Sequence, residues 1–292
     1  MHHPADGPVR RQVAEPRWRS VVTSPAVAAV AVTAIIAGAT TAAAADWLPI
    51  FRTEQVAPVP VSHRELVALP DLTGYGKFRL IEEPDVREVP DAAIAEDATG
   101  LEAPEVADLP RGVIGEPSYL VGGRARAEFT FSADRAKEAA TATGEAVPPV
   151  PEGLDASTFR ITAGPGVAAV WSSNSDVPAL AVARVVAPTA ESTGVKFATA
   201  RDYLLSLPGI PTQLAERLRD FSGDGTMLPL LVPADAMESS TTDVEGNPAT
   251  LLTSRDGAMA GVVWVEDGTV TAVAGSLSAD EVLAVARELQ AS

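Results

Sequence analysis

The chain predicts an α+β fold: an N-terminal single transmembrane helix, an acidic proline-rich linker, then an antiparallel sheet with helices packed on one side. Three observations carry this. Val21 to Ala45 holds no charged side chain and is preceded by arginines. Glu82 to Asp108 holds ten carboxylates against one arginine, Arg87. Beyond Gly112, short alternating or β-branched runs are followed three times by a helix-forming segment.

The 25 residues from Val21 to Ala45 would extend about 37 Å as a helix, against a hydrocarbon core of about 30 Å. Arg10, Arg11, Arg17 and Arg19 lie on one side only, so the positive-inside rule puts residues 1–20 in the cytoplasm and everything after Asp46 outside. Arg17, Trp18, Arg19 and Trp47 bracket the stretch as membrane-interface residues. A cleaved secretory signal is the alternative, because Ala42 to Ala45 offer small-residue cleavage sites. The apolar stretch exceeds the about 7–15 residues of a signal core, which favours the uncleaved anchor. Arg10 and Arg11 are followed by Gln12, Val13, Ala14 and Glu15, so a twin-arginine signal fits poorly.

Composition narrows the rest. Only two of the 39 acids and four of the 22 basic residues precede Asp46, leaving 37 against 18 in the outer part. That balance opposes a nucleic-acid partner, which needs a basic surface. The chain has no cysteine. An outer domain must then hold together by apolar burial, without disulfides, thiol catalysis or thiolate-bound zinc.

Residues 46–111 read as tether and acidic linker. Trp47, Leu48, Ile50 and Phe51 leave the membrane, and Pro58 and Pro60 stiffen the segment beyond them. Ser62 and Glu65 form an S-x-x-E capping box for a short helix through Leu66, Val67 and Leu69. Tyr75 to Glu82 alternates as a strand, and Glu82 to Asp108 reads as extended and self-repelling.

The outer domain occupies 112–292. Arg124 to Phe131 alternates, with Ala125, Ala127, Phe129 and Phe131 on one face and Arg124, Arg126, Glu128 and Thr130 on the other. Ser132 caps a helix over Ala133 to Ala142 that Gly144 ends. Thr158 to Ala163, Val167 to Ser172 and Leu180 to Val186 predict an antiparallel meander, turning first at Gly164-Pro165-Gly166. Phe197 to Leu207 and Gln213 to Phe221 predict a helical hairpin. Strands follow at Ala249 to Thr253, Met259 to Val265 and Thr269 to Ala274, the last two joined by Asp267-Gly268. A second capping box, Ser278 and Glu281, opens a closing helix whose apolar face is Val282, Leu283, Val285, Ala286 and Leu289.

Catalytic signals are missing. His2 and His3 fall in the tail and His63 beside the membrane, and no G-x-S-x-G, H-E-x-x-H or S-x-x-K motif occurs. No catalytic, cofactor-binding or metal-ligating residue is therefore assigned, and no cofactor is expected. Leu207-Pro208-Gly209-Ile210-Pro211 is similar to the turn of DNA-binding helix-hairpin-helix modules, but Pro211 replaces the second glycine and no lysine follows. It reads as a packing hairpin. Ser222-Gly223-Asp224-Gly225 reads as a loop.

Gly261-Val262-Val263-Trp264, the Asp267-Gly268 turn, Gly275-Ser276-Leu277-Ser278 and Glu281 to Ala286 resemble the C-terminal module of DUF4367-type extracytoplasmic domains in actinobacterial single-span membrane proteins. Such proteins are similar in layout to anti-sigma factors, whose zinc-binding cytoplasmic domain a tail of about twenty residues cannot supply. The resemblance implies a non-enzymatic, membrane-anchored extracytoplasmic sensor or accessory domain for envelope regulation, acting through a protein partner in or near the membrane. A carrier of lipid or another hydrophobic ligand, of lipoprotein-carrier type, is the alternative, and an exported hydrolase a weaker one. The carrier reading turns on whether Phe129, Phe159, Trp171 and Trp264 line a cavity or fill a core.

Overall fold

The computed structural model describes residues 47–291 apart from 63, 66–71, 145, 174–177, 209 and 221–224. The expected tail, span and interface residues Arg17, Trp18 and Arg19 lie outside the described residues, as do His2, His3, His63, the helix over Leu66 to Leu69 and Ser222 to Asp224. No described helix is long and apolar enough to cross a membrane.

The architecture is α+β and dominated by antiparallel sheets, with five α-helices among the described residues. The single expected sheet is corrected to three. The largest has eight strands: β4 (Arg87–Val89), β5 (Val113–Gly122), β8 (Gly166–Ser173), β9 (Pro178–Val186), β12 (Met237–Val244), β13 (Asn247–Ser254), β14 (Ala260–Glu266) and β15 (Thr269–Gly275). They are antiparallel, in the order β12-β13-β14-β15-β9-β8-β5-β4. A second antiparallel sheet has five: β1 (Leu48–Arg52), β3 (Gly76–Glu82), β6 (Ala125–Phe131), β7 (Thr158–Ala163) and β10 (Thr189–Ser192), in the order β1-β10-β7-β6-β3. The third is a parallel pair, β2 (Gln55–Val61) with β11 (Met227–Pro233).

Central burial follows from sequence. Every residue from Ala260 to Val265 of β14 is buried, which is what an uninterrupted apolar run demands when both faces of a strand are covered. Val262 and Trp264 join one core with Val282, Val285, Ala286 and Leu289 of α5 (Ala279–Ala291) and Ala95 of α1 (Ala92–Thr99). Val263 and Val265 join the opposite core with Val56 of β2 and Leu228, Leu230 and Val232 of β11. A third core fills the aromatic face of the five-stranded sheet: Phe129, Phe131 and Phe159 meet Ala136 of α2 (Ala133–Thr143) and Ala200 and Tyr203 of α3 (Phe197–Leu204). Leu214 of α4 (Thr212–Asp220) packs with Val59 and Val61 of β2.

The helix caps form as the sequence reads. Ser132 Oγ accepts from the Arg135 amide and Gly144 closes α2 in the left-handed region. In each capping box the serine amide donates to the glutamate, Ser62 to Glu65 at 2.8 Å and Ser278 to Glu281 at 2.9 Å. These amide donors hold both carboxyls below the usual range.

Three expectations change. Tether residues Phe51, Val56, Val59 and Val61 are buried, so 48–61 belongs to the fold. The linker contains α1, because Asp91 caps it, Gly100 ends it, and Ala95 and Thr99 are buried. The meander is split: β8 and β9 pair, but β7 pairs with β6 and β10. Gly164, at φ 72, supports the turn that carries the chain from one sheet to the other.

Candidate functional site

Register builds the first charged feature. On the face of the five-stranded sheet opposite its aromatic core, Arg79, Glu128, Arg160 and Glu191 lie side by side across β3, β6, β7 and β10. Arg79 Nη2 donates to Glu128 Oε2 at 2.7 Å, and Arg160 donates from Nε and Nη2 to Glu128 Oε1 at 3.1 and 2.9 Å. The ring of Trp47 lies 3.8 Å from the Arg160 guanidinium carbon, a cation–π contact. Trp47, expected at the membrane interface, thus joins this polar face.

The Arg79 hydrogen bond, reinforced by Arg160 and opposed by burial, holds the Glu128 carboxyl below its ordinary value. A lowered native pKa means stability present above the unfolded value and lost as pH falls through the native one. Glu128→Gln is expected to cost about 1–3 kcal/mol at neutral pH, as for hydrogen bonds to charged groups. Denaturant titrations from about pH 7 to pH 3 should show a shallower acid loss in the variant than in the parent.

The neighbouring row places Arg52 beside Thr189, then Thr162, then Arg126. A cleft of about 410 Å³ opens here, lined by Arg52, Arg124, Arg126, Arg160, Thr162 and Glu191. Gly164-Pro165, Ala187 and Gly268 also line it. Glu191 is the exception in this basic wall. Its side chain is 4% exposed, Oε2 lies 3.6 Å from Arg160 Nη1, and Oε1 is buried without a hydrogen-bond partner. Arg126 Nε is also buried without one, while its Nη1 lies 3.8 Å from Glu82. Among the described residues, Arg52 and Arg124 have no acidic partner within ion-pair distance.

A second cleft, about 630 Å³, is acidic, with Glu96, Glu102, Glu105, Glu116 and Glu288 around Tyr119 and Trp171. Several of these acids hold the chain in place. Glu96 accepts from the Ala103 amide at 3.0 Å, Glu288 from the Ala107 amide at 2.6 Å, and Glu102 from Arg184 at 2.6 Å. The segment expected to repel itself is therefore fastened to α5 and β9. Burial first, then Glu105, Glu116 and Glu96, push the Tyr119 phenol up.

The third feature, among the described residues, is an open edge. β3 ends the five-stranded sheet, and Phe78, Leu80 and Ile81 are 51%, 50% and 45% exposed.

Of the four aromatics the carrier reading turns on, Trp264 is fully buried and Phe129 and Phe159 are buried in the aromatic core. Trp171 is core on one side and cleft wall on the other. Among the described residues no group of three His, Cys, Asp or Glu is placed to hold a metal ion. Sequence reasoning missed the arginine cleft because its members come from separated strands. The polar alternation of Arg124, Arg126 and Glu128 was its visible part. No protein-family profile, curated protein or solved structure matches this chain.

Proposed function

We propose that the chain is a membrane-anchored, non-enzymatic extracytoplasmic domain acting in envelope regulation through a protein partner that pairs with β3. The exposed edge of β3 carries this reading. An unpaired strand edge offers backbone donors and acceptors that an extended segment of another protein can complete. Phe78, Leu80 and Ile81 add apolar surface that monomeric proteins seldom leave clustered. Lys77 and Arg79 flank them, and the bulge between Leu80 and Glu82 ends the regular pairing. These features limit indiscriminate edge pairing and leave a short, selective site. The predicted anchor at 21–45 and the resemblance to DUF4367-type modules support a partner in or near the membrane.

The test is purification of the tagged full chain from its native membranes beside Phe78→Glu and Leu80→Glu. Both positions are already half exposed, so folding should be retained. A stoichiometric membrane protein should accompany the parent and fall by about tenfold in each variant, as for loss of an interface anchor. Equal recovery from parent and variants would defeat the proposal.

A further inference from the structure

We propose that the arginine cleft is a binding site for a phosphate monoester. The argument is independent of the β3 edge. In a chain of net charge −17, four arginines gather around one small cleft against a single glutamate. Arg52 and Arg124 are exposed side chains that line it, and a cleft lined by one sign of charge concentrates the opposite ion. Arg160 has its carboxylates in Glu128 and Glu191, whereas Arg52 and Arg124 have none among the described residues. A ligand's anion would be their counter-charge.

The chemistry of the anion follows from the number of donors. A guanidinium presents a planar fork of N–H groups that matches oxyanions two at a time. Two uncommitted arginines suit a dianion with three terminal oxygens better than a carboxylate with two. Phosphate monoesters have that shape and charge. The volume, about 410 Å³, falls at the lower end of small-molecule pockets.

Soluble phosphate esters and phospholipid headgroups share this chemistry, and calorimetry can separate them. The full chain in non-ionic detergent is titrated with glycerol 3-phosphate, dihexanoyl phosphatidic acid and inorganic phosphate. Saturable binding of glycerol 3-phosphate identifies a soluble ester; tighter binding of the phosphatidic acid identifies a headgroup. In either case the double variant Arg52→Gln with Arg124→Gln should bind at least about tenfold more weakly. Arg87→Gln, at an exposed arginine outside the cleft, should bind as the parent does. A melting curve of the parent checks the result without any variant: glycerol 3-phosphate should raise Tm beyond sodium chloride of equal ionic strength. Failure of every phosphate probe to saturate, or a folded double variant that binds like the parent, overturns the proposal.

Discussion

Trp264→Ala is expected to lower the free energy of unfolding by about 3–5 kcal/mol, the usual range for truncating a large buried aromatic. Trp264 is the largest fully buried side chain of the chain's described part. It pairs with Ala249 of β13 and Thr271 of β15, and its ring shares a core with Val282, Val285 and Leu289 of α5. Small neighbours on both flanking strands leave the indole to fill the space beneath the helix, so its removal opens a cavity that Ala249 cannot close. The loss is a large share of the about 5–15 kcal/mol that stabilises an ordinary domain. One detail sharpens the expectation. The indole Nε1 is buried without a hydrogen-bond partner, so Trp264→Phe removes an unsatisfied donor along with volume and should cost clearly less. Denaturant midpoints of the three proteins should fall in the order parent, Phe, Ala; equal midpoints for parent and alanine variant would contradict the packing described.

The second large effect is expected at Gly275. A Cβ there would lie 2.2 Å from the Ala179 carbonyl oxygen and 3.2 Å from Leu180 Cα. These are backbone atoms of the adjacent strand, so no side-chain rotation relieves the clash. Gly275 pairs with Leu180, and the next residue, Ser276, donates its amide to the same Ala179 carbonyl at 2.9 Å. Gly275→Ala must push β15 from β9 where the chain turns toward α5. The expected cost is at least the about 1–3 kcal/mol of ordinary overpacking, read as a lower Tm. Amide exchange should be faster at Ser276 than at the distant β12–β13 pair.

Legibility in the sequence is local. Ser132 and Gly144, Ser278 and Glu281, and Asp267-Gly268 act within a few residues of themselves, and the structure places each as read; Asp267 and Gly268 both take positive φ in their turn. Expectation and structure part where composition masks pattern. Pro58 and Pro60 argue for a tether, yet in β2 they occupy one parity, as Pro229 and Pro233 do in β11. The missing N–H groups then fall on a single side of each strand, and the other side is free to pair. The acidic stretch hides α1 in the same way, although Asp91 and Gly100 stand at its ends as cap residues.

The candidate sites are less legible because register assembles them. Glu128 reads as a solvent-facing residue of an alternating strand, but Arg79 and Arg160, from β3 and β7, bury it. Arg160 and Glu191 are neighbours only because β7 and β10 pair. Phe78 and Leu80 read as one face of an alternating strand, with Lys77 and Arg79 on the other. Only the strand order leaves them on an edge.

The most direct test of the proposed function is site-specific photo-crosslinking of the full chain in its native membranes. One photoreactive residue replaces Ile81 on β3 and another replaces Ile114, which is comparably exposed on β5. The account predicts a single discrete protein adduct from position 81 and none from position 114. No adduct from position 81, or the same adducts from both positions, would contradict it.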